Sequence, residues 1–162
     1  MYKKIMVPLD GSPLAECVLP HVEAIAKGCG ASEIIFVSVI EAIEAVEAIV
    51  IAAGLKESAR LHPDASSIDR IIETRAEAYL KKVISQMKSS RLNIRPEVIV
   101  GKSAAEVIID YAARNSVDLI IMATHGRSGI SRWVMGSVAL RVSQAACVPV
   151  LMVRSPGCKV LA

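Results

Sequence analysis

The residues best suited to chemistry in this 162-residue chain lie in one stretch. Met122-Ala123-Thr124-His125-Gly126 is followed, after nine residues, by Gly136-Ser137-Val138. Glycines such as Gly126 and Gly136 admit backbone angles closed to other residues and let a ligand approach the chain closely. Gly136-Ser137 stands where a helix should begin. The first turn of a helix has N–H groups without intrahelical partners, and its dipole favours an anion. The Ser137 hydroxyl adds a donor. The chemistry expected of such a stretch is the cradling of a phosphate. Spacing alone fits equally well a serine-capped glycine-rich connection with no ligand.

The elements that must position this stretch follow from the apolar pattern. Ile5-Met6-Val7-Pro8-Leu9 reads as a buried strand, with Pro8 tolerable near its end. Asp10-Gly11-Ser12-Pro13 then turns the chain. Ser12 suits an N-cap and Pro13 the first helical position. Leu14, Val18, Val22 and Ile25 follow at helical spacing, and Pro20 is expected to bend that helix. Ile34–Ile40 is the second expected strand. Residues 41–65 form an insert in which Ile43, Val46, Ile49 and Val50 suggest an amphipathic helix. A long helix follows Ser66 or Ser67. Pro96–Val100 is strand three, and Ser103-Ala-Ala-Glu106 reads as a capping box opening the next helix. Asp118–Ala123 is strand four, a helix runs from Gly136-Ser137 to about Ala146, and Val148–Val153 is strand five. Strands alternating with helices predict a parallel, doubly wound sheet, whose ligands bind beyond the carboxyl ends of the strands.

Composition narrows the function classes. Apolar residues make up 53% of the chain but aromatic ones only 3%, which suits strands covered on both faces. The formal charge of +3 comes from 19 basic and 16 acidic residues that are scattered and not gathered in a stripe, so nucleic acid is not an expected partner. Four cysteines lack the close spacing of a zinc or redox motif. No apolar run approaches the ~20 residues of a membrane span, and Met1–Lys4 opens no signal peptide. A cytoplasmic location is expected. Gly101-Lys102-Ser103 imitates the end of a P-loop, but Pro96 stands where that motif needs its first glycine.

The chain resembles the universal stress protein family. That family's nucleotide signature is Gly, two residues, Gly, nine residues, then Gly with Ser or Thr. Here it stands as Ala123-x-x-Gly126-x9-Gly136-Ser137. The resemblance also includes Lys3-Lys4-Ile5-Met6-Val7-Pro8-Leu9-Asp10-Gly11-Ser12, Thr124-His125-Gly126-Arg127-Ser128-Gly129 and Val148-Pro149-Val150-Leu151-Met152-Val153. It implies a single Rossmann-like α/β domain over residues 1–154, a five-stranded parallel sheet in order 3-2-1-4-5, and a tail at 155–162. It implies binding of ATP or another adenine nucleotide, with Mg²⁺ accompanying it. Asp10 would lie near the ribose or the metal ion, although an Asx turn-cap explains the same residue. The Val39 backbone would pair with the adenine edge, and Pro8 would wall the pocket. Met122, Ala123, His125, Gly126, Arg127, Gly136, Ser137 and Val138 complete the expected site. The one departure is Ala123 in place of the first motif glycine. An extended backbone there tolerates the methyl group; a positive φ does not.

The reading is of a regulatory nucleotide binder, not a classical enzyme, since no convincing general base appears. An adenine-nucleotide hydrolase or adenylyl-transferring enzyme is one alternative. It is disfavoured because Asp10-Gly11-Ser12-Pro13 differs from the Ser-Gly-Gly-x-Asp-Ser loop of the related pyrophosphatases. A dimeric interaction module without nucleotide is another, supported only by Ala123. The resemblance further implies a homodimer through strand Val148–Val153, which would cover a sheet edge.

Overall fold

A computed structural model describes residues 1–41, 65–87, 92–124 and 135–154 of the chain. The insert beyond Glu41 and the tail from 155 lie outside the described residues. The elements run β1 (Lys4–Pro8), a 3₁₀ turn (Ala15–Val18), α1 (Leu19–Cys29), β2 (Glu33–Glu41), α2 (Ala65–Gln86), β3 (Ile94–Gly101), α3 (Ala104–Arg114), β4 (Leu119–Ala123), α4 (Ser137–Ala145) and β5 (Val150–Val153). The five strands form one sheet in the order β3-β2-β1-β4-β5. Every strand pair is parallel. This is the doubly wound, Rossmann-like arrangement that the alternating pattern predicts.

Strand side chains alternate between two cores. Ile5, Val7, Ile34, Phe36 and Ile121 pack with Val22 and Ala26 of α1 and Leu80 and Val83 of α2. Met6, Ile35, Val37, Ile120 and Met122 pack with Ala105, Ile108 and Ala112 of α3 and Ala139 and Val142 of α4. Because both faces are covered, the inner strands carry unbroken apolar runs, Ile5–Val7, Ile34–Val37 and Leu119–Ala123. Their sequences therefore show runs and not alternation.

Several expected boundaries move, for local reasons. The first α-helix does not start at Pro13. The Ser12 hydroxyl accepts the Ala15 amide at 3.1 Å and supports a single 3₁₀ turn, after which α1 begins at Leu19. Pro20 therefore sits in the first turn of α1, where its missing N–H has no helical partner to lose, and the expected bend is not needed. Strand β3 begins two residues before Pro96. As an edge strand it tolerates a proline. Strand β5 starts at Val150, two residues later than expected, although the Pro149 carbonyl already accepts the Ile120 amide at 3.0 Å.

The capping box at Ser103 is also corrected. Ser103 is the N-cap of α3 with extended angles, but its side chain makes no capping bond. The Glu41 carboxylate, at the end of β2, accepts the Ala104 amide at 2.8 Å instead. Glu106 turns outward to Arg141 at 3.5 Å.

The amino end of the sheet is clamped by polar contacts. Asp118 Oδ2 accepts the backbone amides of Lys3 and Lys4, each at 2.8 Å, and the Asp118 amide donates to the Lys4 carbonyl. These amides hold the Asp118 carboxyl below the usual aspartate range. Near the same end, Arg95 on β3 donates to Glu33 on β2 at 2.7 Å, to Glu97, and to the Tyr111 hydroxyl at 3.0 Å. Arg95 holds the Glu33 carboxyl low, while burial pushes the Tyr111 phenol up.

A carboxylate with a lowered folded pKa contributes stability above its unfolded pKa, near 4 for aspartate, and that contribution fades as the pH falls through the folded value. An Asp118→Asn variant is therefore expected to lose about 1 kcal/mol at pH 7, or about 2–4 °C in Tm. The difference from the parent should narrow at acid pH, as the parent's carboxyl is protonated as well. Thermal melts at both pH values check this.

Candidate functional site

The opening in the sheet lies between β1 and β4. The chain winds outward to β2 and β3 on one side and to β4 and β5 on the other, so these central strands flank the switch in strand order. Lys4 bonds toward β4, whereas Leu9 donates its amide to the Val37 carbonyl of β2 at 2.8 Å. Even-numbered residues of β1 thus address β4 and odd-numbered ones β2. The β1–β4 register has two pairs, Ile5 with Leu119 and Met6 with Ile120. The next residue facing β4 is Pro8, which has no N–H to continue the ladder. The β1–β2 register, in contrast, continues to Pro8 with Val37. Pro8 thus lies where β1 and β4 part at their carboxyl ends.

Several expected site residues lie at or near the carboxyl ends of β1, β2 and β4. Asp10 follows β1 and is half-buried, and Gly11 takes φ 83° to turn the chain. Ser12 donates both its amide, at 2.9 Å, and its hydroxyl, at 2.6 Å, to Asp10 Oδ1. Met122 and Ala123 end β4. The Met122 side chain is buried against the α3–α4 core, so only its backbone faces the carboxyl edge. Ala123 pairs with Val153 inside the extended strand. The methyl group in place of the motif glycine therefore sits on a backbone that any residue adopts. Val39 lies two residues before the end of β2, half-buried beside the α3–α4 core.

Thr124 joins β4 to the start of α4. Its amide donates to the Val153 carbonyl at 2.9 Å, and its carbonyl accepts the Gly136 amide at 2.8 Å. These two bonds seat the N-terminus of α4 beside the crevice. No local signal marks Thr124 for this role, because a backbone bond across eleven intervening residues depends on neither side chain. The first intrahelical bond of α4 runs from the Leu140 amide to the Gly136 carbonyl at 2.9 Å. The amides of Ser137, Val138 and Ala139 accordingly have no partner within the helix. Two expectations for Gly136 change. Its amide is already engaged by Thr124, and its angles of φ −56° and ψ 145° do not require glycine. What glycine adds there is the lack of a side chain. Ser137 is exposed at the tip of the helix and Val138 is half-buried. His125, Gly126 and Arg127 lie outside the described residues, as do Ser128, Ser131, Arg132 and Trp133.

Two other features are not phosphate sites. At Gly101-Lys102-Ser103 the helix terminus already holds an anion, the Glu41 carboxylate. Gly101 also serves packing, since a Cβ there would meet Val107 Cγ2 at 2.3 Å. An open groove of about 400 Å³ between α2 and β3 sets Glu73, Glu77 and the Arg95-paired Glu97 against one lining cation, Arg70, a balance that does not favour phosphate. Glu41 is the first residue of the expected insert and the last of β2. Its place beside α3 follows from the pairing of Glu41 with Gly101 across the sheet.

Fold and crevice define the class: a Rossmann-like, doubly wound α/β protein whose switch point opens beside the N-terminus of a helix. Within that class the chain belongs to the universal stress protein family, whose family model matches residues 1–154. Universal stress protein MJ0531 of Methanocaldococcus jannaschii is 33% identical over 156 residues, which span 96% of this chain and 84% of that protein. The solved structure of MJ0577, a universal stress protein of the same organism, superposes with a TM-score of 0.78 at 27% identity, over 97% of this chain and 99% of the other. A universal stress family protein of Arabidopsis thaliana with AMP bound shares the fold, with a TM-score of 0.62 at 15% identity over 96% and 93% of the two chains.

The Glu41 contact should be structural. A Glu41→Ala variant is expected to lose about 1 kcal/mol, the size of a helix N-cap with a charged acceptor. Urea denaturation checks this through a lower midpoint at unchanged slope.

Proposed function

We propose that this protein binds an adenine nucleotide, with ATP as the leading candidate, in the crevice between β1 and β4, and acts as a nucleotide-dependent regulatory protein of the stress response. The observation that carries this reading is the start of α4. Three successive amides without intrahelical partners, at Ser137, Val138 and Ala139, lie next to the strand-order switch and follow a residue with no side chain. That combination suits an anion at a helix N-terminus. The sequence around it carries the last two elements of the family's nucleotide signature, Gly126 and Gly136-Ser137. The fold is shared with a family member that holds AMP.

In this reading Ser137, Val138 and Gly136 line the phosphates, together with Gly126, His125 and Arg127. The backbone of Met122 and Ala123 closes the floor. Asp10 reaches the ribose or a Mg²⁺ ion carried by the nucleotide. Pro8 and the Val39 backbone receive the base. Phosphate contacts would order the segment between Thr124 and Met135, and a partner would read that order. The protein would work in the cytoplasm; no helix among the described residues is long and apolar enough to cross a membrane.

We also propose a homodimer through β5. This strand pairs with β4 on one side and is the last in the sheet, so its other edge offers backbone groups to a second copy. Val150, Leu151 and Met152 are only half-buried there, and Leu140 of α4 is 44% exposed.

Two experiments test these readings. Small molecules released by heating the purified protein should include AMP, ADP or ATP. Calorimetric titration with ATP, AMP and cyclic AMP, with and without Mg²⁺, then ranks them. Because the Gly136 angles suit valine, Gly136→Val should fold while its side chain fills the approach to the amides; ATP affinity should fall about tenfold or more. Unchanged affinity would sink the phosphate assignment. Val150→Lys should shift the dimer to monomer in sedimentation, and an unchanged mass would rule out strand pairing.

A further inference from the structure

The turn after β1 contains a hydrogen-bond chain that exceeds what capping requires. Ser12 is 8% exposed. Its hydroxyl oxygen accepts the Ala15 amide at 3.1 Å, an amide that the Ser12 carbonyl also accepts at 3.1 Å, while Leu14 is the residue at the N-cap of the 3₁₀ turn. The hydroxyl proton has a second destination, Asp10 Oδ1 at 2.6 Å, and the Ser12 amide donates to the same oxygen at 2.9 Å. A cap needs only an acceptor. Here two donors converge on one carboxylate oxygen, in bonds that an ionised acceptor strengthens. They hold the Oδ1 oxygen of Asp10, just beyond the carboxyl end of β1. The chain of bonds also ties that carboxylate to the start of the helical segment. The positive φ of Gly11 brings Ser12 back over Asp10 to make these contacts.

We propose that Ser12 is a positioning residue for ligand binding, which holds the Asp10 carboxylate in its binding rotamer before the nucleotide arrives. This rests on the reading that Asp10 meets the ribose or a nucleotide-borne Mg²⁺. A carboxylate held in place has no rotamer freedom left to lose when the ligand binds. Releasing it should weaken binding about three- to tenfold. Sequence reading finds Ser12 only as an N-cap, because its bond to Asp10 depends on the turn.

ATP titrations of the parent, Ser12→Ala, Ser12→Thr, Asp10→Ala and the Ser12→Ala/Asp10→Ala double variant test this. Ser12→Ala is expected to weaken ATP three- to tenfold, and Ser12→Thr, which restores the hydroxyl, to stay within about twofold of the parent. In the Asp10→Ala background the serine change should add nothing, because the group it positions is gone. A Ser12→Ala variant that binds as tightly as the parent would overturn the proposal. So would an equal loss in both backgrounds, which marks a role in the fold alone. The underlying reading fails separately: Asp10→Ala binding ATP like the parent removes Asp10 from the site, and a parent that takes up no adenine nucleotide removes the site itself.

Discussion

The short ladder between β1 and β4 is the constraint on which the architecture of the candidate site depends. These are the central strands, and in an all-parallel sheet they would be expected to pair along their length. They pair at two positions, and the next β1 residue that faces β4 is a proline. A missing N–H at that point leaves no ladder to continue. The strands then part where the chain reverses its winding, so a local covalent fact coincides with a topological one. Placed three residues earlier, the same proline would disrupt the core of the sheet.

An opening at one end requires closure at the other. Asp118 gathers the Lys3 and Lys4 amides, and its own amide returns to the Lys4 carbonyl, so β1 and β4 are fastened at their amino ends. Arg95 spans β3, β2 and α3 through Glu33, Glu97 and Tyr111. The resolved protonation shifts, at Glu33, Arg95, Tyr111 and Asp118, all belong to these fastenings. Perturbed titration at these four residues marks groups that hold strands together.

The fold was almost entirely legible because it rests on periodicity. Apolar runs at Ile5, Ile34 and Ile120 report strands buried on both faces, and their alternation with helical spacing determines the winding. The site was legible where backbone geometry follows from residue type: Gly11 takes the positive φ its sequence permits, and α4 starts at Ser137. It was illegible where a contact joins distant segments. Nothing local at Ser103 reveals that its capping role passes to Glu41, sixty-two residues earlier. Nothing local at Gly136 reveals that its amide is claimed by Thr124. Local pattern over-read Ser103 and Pro13 for the same reason: capping preferences describe what a residue offers, and tertiary contacts decide whether the offer is taken.

Comparison of two helix termini explains why one crevice, and not another, is the candidate. α3 and α4 both begin at the carboxyl end of the sheet, and each carries the partial positive charge of a helix start. At α3 the Glu41 carboxylate occupies the first amide, so that terminus has its anion and a second would be repelled. At α4, among the described residues, the acceptor is a neutral one, the Thr124 carbonyl, which takes the Gly136 amide. A neutral acceptor fixes the position of the helix without itself bringing an anion to the dipole. The position that most resembles a phosphate loop in sequence, Gly101-Lys102-Ser103, is thus the one electrostatics closes. The position that departs from the family signature, Ala123, departs where an extended backbone tolerates a methyl group.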